Sequence, residues 1–281
     1  MVKFLRFVII VAALGCDQPK SAGHAADIAA PPAANAVASV AVTREETVVR
    51  VGTTLERWAL EWREAPIPAC GPAEVDMAIT CPCSGFAYGE MGQLDLVRRR
   101  PGRSNERLAL TPLFDHQENP GWRKHLAVLQ RWPMLESDYR VSESIDLEPA
   151  IRARALTRVV TPRDYDHDGR ATEFPLQVGT LPCGKKQAVL IGISAVDSSL
   201  HAFTTVAHPE RPLVLPMPLW ERLRQSGGST AGVEWPCGDH GAETETEVQL
   251  SVSPQGIDGV RSEYECLASR SRGRLISSER I

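Results

Sequence analysis

Thr244-Glu245-Thr246-Glu247-Val248-Gln249-Leu250-Ser251-Val252 is the stretch from which the fold class is read. Thr244, Thr246, Val248, Leu250 and Val252 recur at every second position, and side chains so spaced share one face of an extended chain. The stretch therefore reads as a long strand. Beyond it, residues 260–266 and 274–277 are again extended in character and complete a meander. Working back towards the N-terminus, 174–178, 187–194, 202–207 and 213–215 read as successive strands with turn signals between them. Residues 219–225 read as a short helix that ends at Gly227-Gly228.

The upstream half is more mixed. Residues 48–51 open the folded part, and 75–80, 86–88, 94–97 and 107–110 read as short strands. Ile151, Ala153, Ala155, Thr157 and Val159 alternate with arginines at 152, 154 and 158, the pattern of a strand with one apolar and one basic face. A helix starting at Pro149 is the alternative. Leu55, Trp58, Ala59 and Trp62 fall at i, i+3, i+4 and i+7, and Thr53 and Glu56 have capping-box spacing, so a helix with two core tryptophans is expected before Pro66. Trp122, Leu126, Leu129 and Trp132 suggest a second helix, stopped by Pro133. The expected fold is mainly β: one antiparallel, strand-rich domain over 45–281 with two or three short helices, with an α+β arrangement as the alternative.

Composition agrees with a globular chain. Of 281 residues, 43% are hydrophobic and 23% charged, enough to bury a sizeable core. Glycine and proline number 21 each against 6% aromatics, which favours many turns and short strands. A net charge of −4 gives no reason to expect nucleic acid as a partner, and the basic run Arg98-Arg99-Arg100, with Arg103 close behind, reads as a solvated turn.

Residues 1–15 have the form of an export signal: Lys3 and Arg6 precede an apolar run from Phe7 to Leu14, too short to cross a bilayer about 30 Å thick. The run ends in Ala13-Leu14-Gly15-Cys16, which resembles the lipobox of bacterial lipoproteins. That resemblance implies a lipid on Cys16, a membrane partner through the anchor, and a place in the bacterial cell envelope, exposed to periplasm or exterior. Cleavage by an ordinary signal peptidase is the alternative. Residues 16–44, rich in alanine and carrying Pro31-Pro32, read as the anchor and a flexible tether.

With Cys16 set aside, Cys70, Cys81, Cys83, Cys183, Cys237 and Cys266 remain, an even set that in an exported chain reads as disulfides. Cys237 is expected to pair with Cys266, because their segments look like neighbouring strands. The other four are expected to pair among themselves, Cys81 and Cys83 being too close to join each other. A zinc site using Cys81, Cys83 and another thiol is the rival, although the spacing is not a CxxC pair.

Asp164-Tyr165-Asp166-His167-Asp168-Gly169-Arg170-Ala171-Thr172-Glu173 carries the sharpest chemistry. Alternating carboxylates followed by glycine bring hard oxygens to one side of a tight turn, which suits Ca²⁺. An EF-hand would need its bidentate acid at position twelve of the loop, where this chain has Pro175. The loop resembles instead the integrin-type FG-GAP or VCBS-like calcium loop, in which a strand leads into D-x-D-x-D-G and a further carboxylate precedes the next strand. The resemblance covers this segment alone. It implies Asp164, Asp166, Asp168, the Arg170 carbonyl and Glu173 as ligands, with Glu173 one position later than the family's usual last ligand.

An aspartate-based phosphoryl-transfer site lacks the required sheet context, Gly192-Ile193-Ser194-Ala195-Val196 lacks the second glycine of a nucleophile elbow, and a phosphate-binding glycine loop is absent from the sequence. The expectation is a non-enzymatic envelope lipoprotein with a structural calcium loop and a protein or glycan ligand. The alternative is a secreted or periplasmic hydrolase with a cleft assembled from Tyr88, Glu90, Asp239 and His240.

Overall fold

Ala188-Val189-Leu190-Ile191 sets the layering of the molecule. In the computed structural model, which describes residues 40–71, 83–115, 125–135, 137–138, 147–181 and 185–281, these residues lie in strand β9 (Lys185–Gly192) and are buried on both faces. Val189 and Ile191 enter one core with Trp58, Leu60, Trp62, Leu96 and Phe174. Ala188 and Leu190 face a second core with Leu219, Trp220, Leu223, Val248 and Leu250. Successive strand residues point to opposite sides, so a continuous apolar run can serve two cores at once.

Three β layers follow from this. β1 (Val42–Val51), β2 (Thr54–Trp62), β5 (Leu94–Arg99) and β6 (Glu106–Ala109) form an antiparallel sheet in the order β1-β2-β5-β6. The middle sheet pairs β9 with β8 (Glu173–Leu181) along one edge and, along the other, with β10 (His201–Ala202) and β11 (Val214–Pro216). The C-terminal meander is β12 (Ser229–Trp235), β13 (Thr244–Ser253), β14 (Gly256–Cys266) and β15 (Arg272–Arg280), paired in that order. A small sheet of β3 (Ile67–Ala69), β4 (Gly89–Gly92) and β7 (Ala127–Gln130) completes the set. The fold is strand-rich and antiparallel, as the alternation in 244–252 implies.

Short helices fill the gaps: α1 (Cys83–Phe86), α2 (Glu148–Arg152) and α3 (Met217–Gln225). Pro218 lies in the first turn of α3, where its missing N–H costs nothing, and Leu219, Trp220 and Leu223 form the buried stripe. The Trp220 indole N–H donates to the Ala188 carbonyl at 2.9 Å, fixing α3 on β9.

Several local expectations are corrected. Residues 54–62 form β2 rather than a helix, with Glu56, Trp58, Leu60 and Trp62 buried on alternate positions and Leu55 53% exposed. Both tryptophans are core residues, as expected. Residues 127–130 form β7, paired with β4, in place of the second helix. Residues 151–159 are not a strand: α2 begins at Glu148 with Pro149 in its first turn, and the chain beyond it is irregular. Residues 83–86 are helical, and Tyr88 adopts a left-handed backbone with φ 54° in place of a strand position. Only His201–Ala202 of 202–207 and its flank pairs as a strand, although Thr205 forms a parallel bridge with Ile257. Arg98 does not lie on a solvated turn; it is 3% exposed, within β5, where Nε and Nη2 reach the Glu56 carboxylate at 2.6 and 3.0 Å.

Two disulfides are present among the described residues. Cys237–Cys266 joins the end of β12 to the end of β14 with Cα atoms 5.5 Å apart, matching expectation. Cys70–Cys83 ties the end of β3 to α1 at 5.2 Å, so the Cys83 sulfur is not available to a zinc ion. The signal segment with Cys16, the tether up to residue 39, the expected strand at 75–80, Trp122, Cys81 and Cys183 lie outside the described residues.

Candidate metal centre

Two backbone hydrogen bonds pinch the acidic loop at its base. The Arg163 N–H donates to the Glu173 carbonyl at 2.7 Å and the Glu173 N–H donates back at 3.1 Å, so residues 164–172 close as a loop leading into β8. Inside it, the Asp164 carboxylate accepts from the Gly169 N–H at 3.1 Å, and the Asp166 carboxylate accepts from the Asp168 N–H at 3.2 Å. Gly169 has φ +86°, a conformation that costs glycine little and a branched residue much. The Tyr165 ring is buried in the second core, and the His167 ring nitrogen Nε2 lies 2.9 Å from the Leu223 carbonyl. These contacts fix the loop to α3.

Glu173 is fully buried at the start of β8, opposite Gly192 of β9. A Cβ on residue 192 would lie 2.3 Å from the Thr172 carbonyl oxygen, so glycine is required for this approach. Glu173 accepts the Tyr165 N–H at 2.8 Å and the Thr172 hydroxyl. Burial pushes its carboxyl up to about 8, opposed by those two hydrogen bonds and aided by the charges of Asp166 and Asp168. Burial, then Asp168, raises Asp166 to about 6.

The loop brings one oxygen each of Asp164, Asp166 and Glu173 within 4.8 Å of one another. Asp164 Oδ1 is buried and has no hydrogen-bond partner. An orphaned buried oxygen on a carboxylate that is clustered with two others is a costly arrangement without a cation. The donor set is all oxygen, which suits a hard divalent ion such as Ca²⁺ and is poor for a thiol-seeking one. Asp168, expected as a ligand, is turned away: its carboxylate accepts from Arg170 N–H and Nε, each at 2.8 Å.

The residues of the hydrolase alternative are engaged separately. Glu90 accepts from Arg44 Nε at 3.0 Å, while Asp239 is ion-paired to Lys185 and bonded to His240 Nδ1 at 2.9 Å. None of these, nor Tyr88, lines the large cleft beside the acidic loop. That cleft, about 710 Å³, was not foreseen. It is walled by the loop, by the turn after β9, by the segment after β10, and by the β13–β14 hairpin. Its lining comes from distant segments, and the local signals at it were the acidic loop itself and the rejected Gly192–Val196 motif. There, Ser194 accepts the Asp197 N–H at 3.0 Å in a turn on the cleft wall. Compared with known proteins, the chain matches no family model, no curated protein and no solved structure.

Proposed function

We propose that the chain is a non-enzymatic lipoprotein of the bacterial cell envelope, anchored through Cys16, in which the loop 164–173 holds a structural calcium ion and the domain binds a ligand. The observation that carries the calcium assignment is the convergence of Asp164, Asp166 and Glu173 oxygens within 4.8 Å beside a buried, unpartnered Asp164 Oδ1. Disulfides joining neighbouring elements support export to an oxidising compartment. The ion would neutralise the carboxylates and hold the base of β8 against α3 through residues already fixed there.

Calcium is expected to raise the melting temperature of the wild type. At a hundredfold excess over Kd the stabilisation is about 2.7 kcal/mol. Asp166→Asn combined with Glu173→Gln should abolish the shift, whereas Asp168→Asn should preserve most of it. An equal shift in the double variant would remove the assignment. The anchor is tested separately: the intact mass of protein extracted from membranes should carry an acyl modification on Cys16, and a mature N-terminus elsewhere would end that part of the proposal.

A further inference from the structure

A second concavity of about 280 Å³ lies where β8, β9 and β11 of the middle sheet meet β12 and β14 of the meander, and no residue of the acidic loop lines it. That volume is near the lower end of the range for small-molecule pockets, roughly 300–1,000 Å³, so it suits a small ligand. Val178, Leu213 and Ile281, each at most 7% exposed, supply apolar lining.

Among the described residues, several polar groups on this wall have hydrogen-bonding capacity to spare. The Arg211 guanidinium, on an exposed residue, makes no hydrogen bond or ion pair. Arg261 gives Nε to the Glu234 carboxylate at 3.2 Å, which leaves both its terminal nitrogens without a hydrogen bond. The Gln187 amide has none either. Thr205, 3% exposed, accepts the His208 N–H at 3.2 Å, but its own hydroxyl proton meets no acceptor. A buried hydroxyl proton without an acceptor is unfavourable, and a ligand oxygen would relieve it. His208, by contrast, is engaged: its Nδ1 faces Glu210 Oε1 at 3.2 Å and its Nε2 faces the Arg280 carbonyl at 3.3 Å.

Spare donors thus come to one pocket from three segments, the stretch 205–211, β9 and β14. Donors in excess of acceptors call for an oxyanion. Charge then sets its valence. Glu234 is the one acidic side chain in the lining, and it offsets Arg261. Glu210, next to Arg211 in sequence, turns its carboxylate to His208 and does not line the pocket. The main-chain carboxylate of Ile281 forms no ion pair among the described residues. Arg211 is therefore the one guanidinium on this wall without a paired carboxylate, which matches a single negative charge.

We infer that this pocket binds a small monocarboxylate, held at its oxygens by Arg211 and Arg261, with its aliphatic or aromatic body against Val178, Leu213 and Ile281. A guanidinium fork fits a planar carboxylate through two parallel hydrogen bonds. The inference is independent of the calcium reading, because Asp164, Asp166 and Glu173 belong to a different part of the surface of β8 and its entry loop.

The test is calorimetric titration of the full mature chain with butanoate, 3-methylbutanoate, benzoate and phenylacetate. 3-Methylbutanamide, 3-methylbutylamine and isobutyl phosphate serve as comparators. At least one carboxylate is expected to bind with a Kd of about 1 mM or tighter. Arg211→Gln and Arg261→Gln should each weaken it tenfold or more, whereas Glu234→Gln, which removes the competing acceptor, should retain or strengthen it. Arg211 makes no side-chain contact to another polar group, so Arg211→Gln should keep the wild-type melting temperature and is the decisive variant. Arg274→Gln, at a 79% exposed side chain outside the lining, should bind as the wild type does. Absence of carboxylate binding, equal or tighter binding of the amide, the amine or the phosphate ester, wild-type affinity in Arg211→Gln, or an equal loss in Arg274→Gln would each overturn the assignment.

Discussion

Glu173 concentrates the electrostatic cost of the loop. Its carboxyl is raised from an ordinary 4.5 to about 8, chiefly because it is buried. The metal-free folded chain therefore holds a proton that the unfolded chain releases at lower pH. The stabilisation from this group is complete below about pH 4.5 and is lost as pH rises through 8. Asp166, raised from 3.8 to about 6, acts in the same sense over a lower window. Calcium requires both groups ionised, so its binding strengthens as they lose their protons. In EGTA, the melting temperature of the wild type should fall between pH 5 and pH 8 more steeply than that of Glu173→Gln, and excess calcium should remove most of the difference. Parallel pH profiles for the two proteins in EGTA would refute the buried, protonated state. The alternating aspartates and Gly169 were legible in the sequence because loop ligands are local. The withdrawal of Asp168 onto Arg170 was not, because a carboxylate in such a run has the same spacing whether it faces an ion or a neighbouring guanidinium.

At the scale of the element, β13 and β2 show why some strands can be read and others are misread. In β13 the residue types alternate over 244–252, burial alternates strictly over Val248–Ser251, and the pairing with β14 keeps one register throughout. In β2 the largest side chains, Trp58 and Trp62, stand four apart, a spacing that falls on one face in both a strand and a helix. The residues that distinguish the two are Glu56 and Leu60, buried on the strand's inner face, and Glu56 resembled a helix cap in the sequence. Its burial depends on Arg98, 42 residues away, which no local pattern reveals. The same pair gives a direct test of the strand assignment. Arg98→Met should leave the Glu56 carboxylate buried without its cation and cost about 3–5 kcal/mol in urea unfolding. Adding Glu56→Gln should recover part of that loss, and an Arg98→Met variant within about 1 kcal/mol of wild type would show that the pair is not buried as described.

At the scale of the whole molecule, the covalent links among the described residues lie in the meander and beside the small sheet. Cys237–Cys266 closes a separation of 29 residues in the meander, a constraint on the unfolded chain of about 3–4 kcal/mol in the loop-entropy picture. Cys70–Cys83 fastens the small sheet to α1, whose helix has only four residues. With those partners taken, Cys81 and Cys183 are left from the set expected to pair among themselves. The described neighbours favour their union. Gln177 of β8 donates to the Gly85 carbonyl of α1 at 2.9 Å, so α1 sits against the strand that runs out towards residue 183. Cys81 lies two positions before Cys83, and Cys183 two positions after Leu181. A bridge between them would tie the small sheet to the middle layer, a junction that neither observed disulfide spans. Non-reducing peptide mapping of the exported protein is expected to recover a Cys81–Cys183 linked peptide alongside the other two pairs. Free thiols at both positions, or either cysteine linked to a different partner, would refute the third bridge and leave the small sheet joined to the rest by packing and hydrogen bonds such as that of Gln177.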